Sequence, residues 1–243
     1  MSNEVLLSIS VIIYFGSFIL LFKYFGKLGL FFWIILATLY ANIEVLLQVR
    51  AFGLDMTLGN VLFGSSFLAT DVLSERYGKK TSSVGMRLGV ITTLSYVLFS
   101  NFWLLFSPND VDFAYEAMKT LFSPVFRIAV VSLIIYYICQ KIDIFLYHYI
   151  WKFTTKSTND SKKYLWIRNN GSTIVTQFVN NILFVYLAFS TIKIGNITIQ
   201  GITSDPQVLF NIFITGWIIM TFIAIVDTPI CYLCRKMKVK EVV

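Results

Sequence analysis

The chain has 243 residues, of which 57% are hydrophobic, 17% aromatic and 14% charged, with a formal net charge of +7. Soluble domains carry about 25% charged residues, so this composition excludes an ordinary water-soluble fold and points to a polytopic membrane protein with no room for a separate soluble domain. The basic excess is spread through short loops between apolar runs rather than gathered on one face, which argues against a nucleic-acid surface and for the positive-inside rule.

Seven membrane segments can be drawn, at roughly 5–22, 30–50, 57–76, 84–106, 122–150, 173–194 and 207–234. All are long enough to be helices, the structure that satisfies a lipid-exposed backbone internally, and no alternating barrel pattern is present. The first carries Glu4 ahead of its apolar run and Lys23 and Lys27 behind it, with no small-x-small site. It reads as an uncleaved span with its N-terminus outside. The second ends in ANIEVLLQVR. Glu44 and Gln48 share a helical face there and Asn42 lies nearly opposite. Glu44 reads either as an interfacial carboxylate paired with Arg50 or as a ligand or proton group.

The third segment, 57–80, is the one around which the chain is organised. Its apolar run from Val61 to Thr70 is about half of the roughly 20 residues needed to cross the hydrocarbon layer. Completing the crossing takes Asp71, and then Glu75 one turn on, to or below the interface. A carboxylate at such depth costs about 2.5 to 3.5 kcal/mol and marks a candidate functional site, unless Asp71 merely ends the helix among headgroups. Gly59 and the Gly64-Ser65-Ser66 cluster permit close approach of another backbone or a ligand.

The acidic loop 107–121 reads as a turn from Pro108 followed by a short interfacial helix. The fifth segment carries Arg127 near its outer end and Gln140, Lys141 and Asp143 near its inner end, with His148 at the interface. Arg127 must snorkel outward, pair with an acid or face water. The stretch 151–168, with its TTKSTNDSKK, has linker composition. In the sixth segment Thr173, Thr176, Gln177 and Asn180 fall at i, i+3, i+4 and i+7, a narrow polar stripe flanked by Asn181. Such a stripe either glues helices together or lines a cavity. In the seventh, Asp227 precedes Pro229, which ends or kinks the helix; capping, charge pairing and a direct role are all open for Asp227.

With the N-terminus outside and the C-terminus inside, 16 of the 20 Lys and Arg residues fall on the inner side and 4 on the outer, as the positive-inside rule requires. His148 is the sole histidine and Cys231–Cys234 form one CxxC, so neither a multi-histidine metal site nor a disulfide framework is expected, and no cofactor. There is no phosphate loop for ATP, no HExxH, and no lysine between 211 and 234 for a retinal Schiff base. An enzyme and a retinal protein are therefore disfavoured.

The segment SSFLATDVLSERYGKK, with Phe67, Thr70, Asp71, Glu75, Tyr77 and Gly78, resembles the signature of the queuosine precursor transporter family, also called vitamin uptake transporters. Arg127, Gln140 and Asp143 resemble a second block of that family, Ser172, Thr173, Gln177 and Asn180 a third, and Asp227-Thr228-Pro229 a fourth. Asn180 stands where the family often has an acid, and Met220 or a neighbour where it often has a lysine. The resemblance implies an all-α fold. Its six-helix core (28–243) would resemble the substrate-binding subunits of energy-coupling-factor transporters, preceded by one extra N-terminal span (1–27), N-out and C-in. It also implies a multi-pass protein of the cell inner membrane that imports 7-deazaguanine compounds or queuine, or else a substrate-capture subunit of a multi-component vitamin importer. The partners implied are the small solute and membrane lipid, with a homodimer plausible and no nucleic acid. The candidate substrate-binding residues are Asp71, Glu44, Gln177, Asn180, Asn181, Thr176, Arg127, Glu75, Gln140, Asp143, Asn42 and Phe67. Asp71 or Glu44 would accept from a guanine-like edge, and the amides of the sixth segment would read the rest.

Overall fold

An uninterrupted helix the length of the first element, 42 residues, would reach about 63 Å, twice the ~30 Å hydrocarbon layer. That excess is removed by a reversal. In the computed structural model, α1 (Asn3–Glu44) breaks at Gly26, whose φ of 53° and ψ of −128° lie outside the helical region and suit a residue with no Cβ. The two arms, 3–25 and 27–44, then lie side by side. Phe18 of the first meets Trp33 of the second edge-on at 5.8 Å, and the Tyr14 hydroxyl donates to Glu44 Oε1 at 2.6 Å. The structure describes residues 1–122, 125–194, 197–199 and 205–240, with the backbone alone at 54–55, 125–129, 189, 192–194 and 197–199.

The chain continues through a hairpin of β1 (Gln48–Ala51) and β2 (Leu54–Thr57), then α2 (Gly59–Tyr77), α3 (Lys79–Trp103), the short α4 (Tyr115–Phe122), α5 (Val125–Thr158) and α6 (Leu165–Phe184). A π-helical turn (Val185–Phe189), a second hairpin of β3 (Ile192–Ile194) and β4 (Ile197–Ile199), and α7 (Pro206–Lys236) complete it. Asp205 caps α7 by accepting from Gln207 N at 2.8 Å, with Pro206 at the first helical position, the arrangement favoured at a helix start. Among the described residues α1, α5 from Val130, α6 with its π-turn, α3 and α7 are each long and apolar enough to cross a membrane. This is an all-α membrane protein.

The helix left out of that set, α2, sits at the centre. It packs against α1, α3, α5, α6 and α7, and 14 of its 19 residues are buried. Shielded from lipid on nearly all sides, it tolerates hydroxyls and a carboxyl. Ser65, Ser66 and Thr70 bond back to the carbonyls of Leu62, Phe63 and Phe67 at 2.7 to 2.8 Å, which satisfies them within their own turn. The main apolar core wraps α2 with Phe15, Phe18 and Phe22 of the first arm, Trp33 and Ile34 of the second, and Met220 and Ile223 of α7.

Several boundaries differ from those expected. The second and sixth segments leave the helix early, at Glu44 and Phe189, and spend the rest of their apolar runs in the two hairpins. Phe52 and Gly53 turn the first with positive φ of 52° and 73°, as a two-residue hairpin requires. The supposed linker 151–168 is mostly helix: α5 runs on to Thr158 and α6 begins at Leu165. Pro229 lies inside α7, which continues through it to Lys236. The short helix expected in the acidic loop is α4.

Basic segments converge at one end of the bundle. Arg76 donates to the carbonyls of Arg235 and Met237, Arg235 to the carbonyl of Lys162, and Lys240 N to that of Lys23. The β1–β2 hairpin follows the far end of α1, at the opposite pole.

Candidate functional site

Along α2 the positions Gly59, Phe63, Phe67, Asp71 and Glu75 recur every fourth residue, so they line one face at steps of about 6 Å. This file runs from the hairpin end of the bundle to the basic end, and each step has a different surrounding. Ser132, Tyr136, Gln140, Asp143 and Tyr147 of α5 and Asn180, Gln177, Thr173 and Asn169 of α6 run beside it.

At the hairpin end lies a cavity of about 100 Å³. Asn42, Asn60, Asn180 and Asn181 supply amides to its wall, Phe63, Tyr136 and Met220 apolar surface, and Gly59 a stretch of bare backbone. Below it Phe63, Phe67 and Tyr136 meet edge to face, with centroids 5.4 to 6.5 Å apart.

Beneath these rings is a buried polar layer. Asp71, Gln140, Asp143, Asn169, Thr176, Gln177 and Asp227 are all 2% exposed or less. Thr70 Oγ1 reaches Gln140 Oε1 at 3.2 Å. Thr173 Oγ1 lies 3.5 Å from both Asp71 Oδ2 and Asp143 Oδ1, and Asn169 Nδ2 donates to Asp227 Oδ1 at 3.1 Å. Asp71 Oδ1, Asp143 Oδ2, Asn169 Oδ1, Gln140 Nε2, Gln177 Nε2 and Thr176 Oγ1 have no hydrogen-bond partner in the protein. A buried polar atom left unpaired costs about 1 to 3 kcal/mol. Six such atoms are gathered between α2, α5 and α6, the largest concentration of unpaired polar groups along the file.

At the basic end the file closes on Glu75. Arg168 grips both of its carboxylate oxygens, Nη2 to Oε1 at 2.7 Å and Nε to Oε2 at 3.0 Å. The Tyr147 hydroxyl donates to Oε2 at 2.9 Å and Arg235 Nε lies 3.2 Å from Oε1. The Arg168 guanidinium, wholly buried, also stacks 4.5 Å from the Trp151 ring centroid. Helices α2, α5, α6 and α7 are thus fastened together beneath the polar layer.

The structure brings together six of the residues singled out from sequence: Phe67, Asp71, Gln140, Asp143, Thr176 and Gln177. Asn42, Asn180 and Asn181 border the cavity above. Asn180 donates to Gln177 Oε1 at 3.2 Å, which orients the deeper glutamine, and Asn181 donates to the Gln177 backbone carbonyl at 2.8 Å. Asp71 does not end its helix among headgroups; α2 continues to Tyr77 with Asp71 fully enclosed. The polar stripe of α6 faces this interior. Glu44 stands apart, between the arms of α1 with Tyr14 as its donor, and Glu75 is engaged by two arginines. The Arg127 side chain lies outside the described residues. Arg168, Asn169, Tyr136 and Tyr147 belong to the site without having been singled out by sequence. A signal exists for Asn169, because the i, i+4 rhythm of Thr173 and Gln177 extends back to it, but the residue adjoins a stretch of linker composition that masks the helix.

Helices enclosing a polar layer, with a cavity at one end and an ion-paired cluster at the other, define a polytopic helical membrane protein with a polar interior. The chain belongs to the vitamin uptake transporter family: the family described as "Putative vitamin uptake transporter" matches residues 57–234. It is also 35% identical over 226 residues, 93% of this chain and 92% of the relative, to a Bacillus subtilis (strain 168) protein described as "Probable queuosine precursor transporter". No solved structure matches. The kinship read from the residues around Asp71 is borne out, and the chain is a transporter of that family.

Proposed function

We propose that this protein imports a queuosine precursor of the 7-deazaguanine type across the inner membrane, from the hairpin end to the basic end, which faces the cytoplasm. The observation that carries the reading is the set of unpartnered donors and acceptors buried on α2, α5 and α6. A deazaguanine ring offers adjacent N–H donors that a carboxylate such as Asp71 accepts, and a carbonyl that Gln140 or Gln177 Nε2 can serve. Phe67 and Tyr136 supply apolar walls for its faces. The cavity of about 100 Å³ is smaller than the roughly 300 Å³ at the low end of ligand pockets, so Phe63 and Tyr136 must part to admit the ring. The residues of the polar layer all come from α2, α5, α6 and α7, and the reading takes the first arm of α1 as an addition to that core.

The test is uptake of labelled 7-aminomethyl-7-deazaguanine by liposomes holding the purified chain alone. Wild type should take the compound up, and Asp71→Ala should lose at least tenfold while its melting temperature in detergent still shows a folded protein. Unchanged uptake by Asp71→Ala removes that carboxylate from the site. Uptake that needs added ATPase subunits turns the reading to a substrate-capture subunit.

A further inference from the structure

The polar layer buries three carboxyls with no cationic side chain among the described residues to balance them. Asp71, Asp143 and Asp227 come from three different helices, and none is paired with Lys or Arg among the described residues; the nearest guanidinium, Arg168, is consumed by Glu75. Around them, Asp71 Oδ1, Asp143 Oδ2 and Asn169 Oδ1 are acceptors with no donor. Thr173 has one proton for two carboxylates, and Asn169 Nδ2 serves Asp227 and Thr228; the donors left over, Gln140 Nε2, Gln177 Nε2 and Thr176 Oγ1, are neutral and cannot balance carboxylate charge. The carboxyls do not converge into a group of three able to hold a metal ion. A proton is the cation that needs no added volume, and it turns one acceptor oxygen into a donor for another.

We propose that the Asp71–Asp143–Asp227 cluster carries a proton with each solute, loading it from the cavity side and releasing it when the Glu75–Arg168–Arg235 closure opens, so that import is proton-coupled. The proton comes from water at one face and returns to water at the other, with no covalent change in the solute. The other ionisable groups near the cluster are Glu75 on α2, Cys139 and Tyr147 on α5, Arg168 on α6 and Cys231 on α7. Glu75 and Arg168 neutralise each other, and the thiols and phenol carry no charge of their own to offset a carboxylate. The inference rests on the transport reading above.

Liposomes holding the full chain, clamped at zero membrane potential, separate the two. The probe is the uncharged 7-cyano-7-deazaguanine, and the readout is its steady-state ratio inside to outside. This ratio reports coupling rather than rate. With the interior one pH unit more alkaline, wild type should reach about tenfold for one proton per solute. Asp143→Asn should equilibrate at a ratio of one, and Asp143→Glu should keep the gradient dependence. Asp227→Asn provides a second carboxyl deletion. A wild-type ratio of one at every gradient overturns the proposal, as does a tenfold ratio in both asparagine variants. If neither asparagine variant inserts, the wild-type ratio alone decides. Wild-type liposomes that do not even equilibrate this probe or its aminomethyl analogue strike the transport reading instead.

Discussion

Glu75 shows how one residue can read as a ligand group and serve as a closure. Its carboxylate accepts from Arg168, Arg235 and Tyr147, and the Arg168 side chain has no exposed surface. Removing one member of such a buried pair leaves a charge uncompensated, which costs about 3 to 5 kcal/mol. The Lys119–Glu116 pair on α4 is the contrast: its side chains are 53% and 80% exposed at 3.7 Å, and exposed pairs contribute about 0 to 1 kcal/mol. Glu75→Ala should therefore lower the melting temperature of the detergent-solubilised protein by many degrees, and Glu116→Ala should leave it nearly unchanged. Equal, small effects from both would mean that Arg168 finds another partner and that the closure is not a fastening.

The central helix depends on small residues as much as on polar ones. A Cβ built on Gly59 would stand 2.8 Å from the carbonyl oxygen of Ala41 and 3.0 Å from Val45 N. Those are backbone atoms of the end of α1 and its cap, which cannot swing aside as a side chain would. Gly59→Ala should force α1 and α2 apart and distort the cavity they share, at a cost of about 1 to 3 kcal/mol by the usual scale of overpacking. A Cβ added to Gly16, in the first arm of α1, would meet nothing within 4 Å, and alanine is the better helix former by up to about 1 kcal/mol. Gly16→Ala should be neutral or stabilising in the same thermal assay, and uptake should fall with Gly59→Ala alone. A Gly59 variant as stable and active as wild type would show that the α1–α2 contact yields more easily than its backbone geometry implies.

At the scale of the whole molecule, what the sequence disclosed and what it hid divide along a physical line. Asp71 was legible because it interrupts an apolar run, and the α6 stripe because helical periodicity is local. Arg168 was not: it looks like any other loop cation until a carboxylate 93 positions away closes on it. Glu44 looked available for the same reason, its donor Tyr14 being 30 positions away. The hairpins hid because each has only three or four residues per strand and sits at the end of an apolar run that a helix would also accommodate. Orientation, by contrast, is a global property that charge counting addresses directly, and the convergence of Arg76, Lys162, Arg235 and Lys240 at one end is what an inward-facing basic surface requires. The native thiols favour a direct test, since Cys139, Cys231 and Cys234 are at most 1% exposed and should be silent to a membrane-impermeant maleimide. Lys162→Cys places a thiol between α5 and α6 at the basic end, and Asp110→Cys places one in the loop before α4. In intact cells the reagent should label Asp110→Cys and spare Lys162→Cys, which should react once the membrane is permeabilised. The opposite pattern would invert the molecule: the Glu75–Arg168 closure would then guard the entrance, and the cavity beneath the β1–β2 hairpin would become the exit.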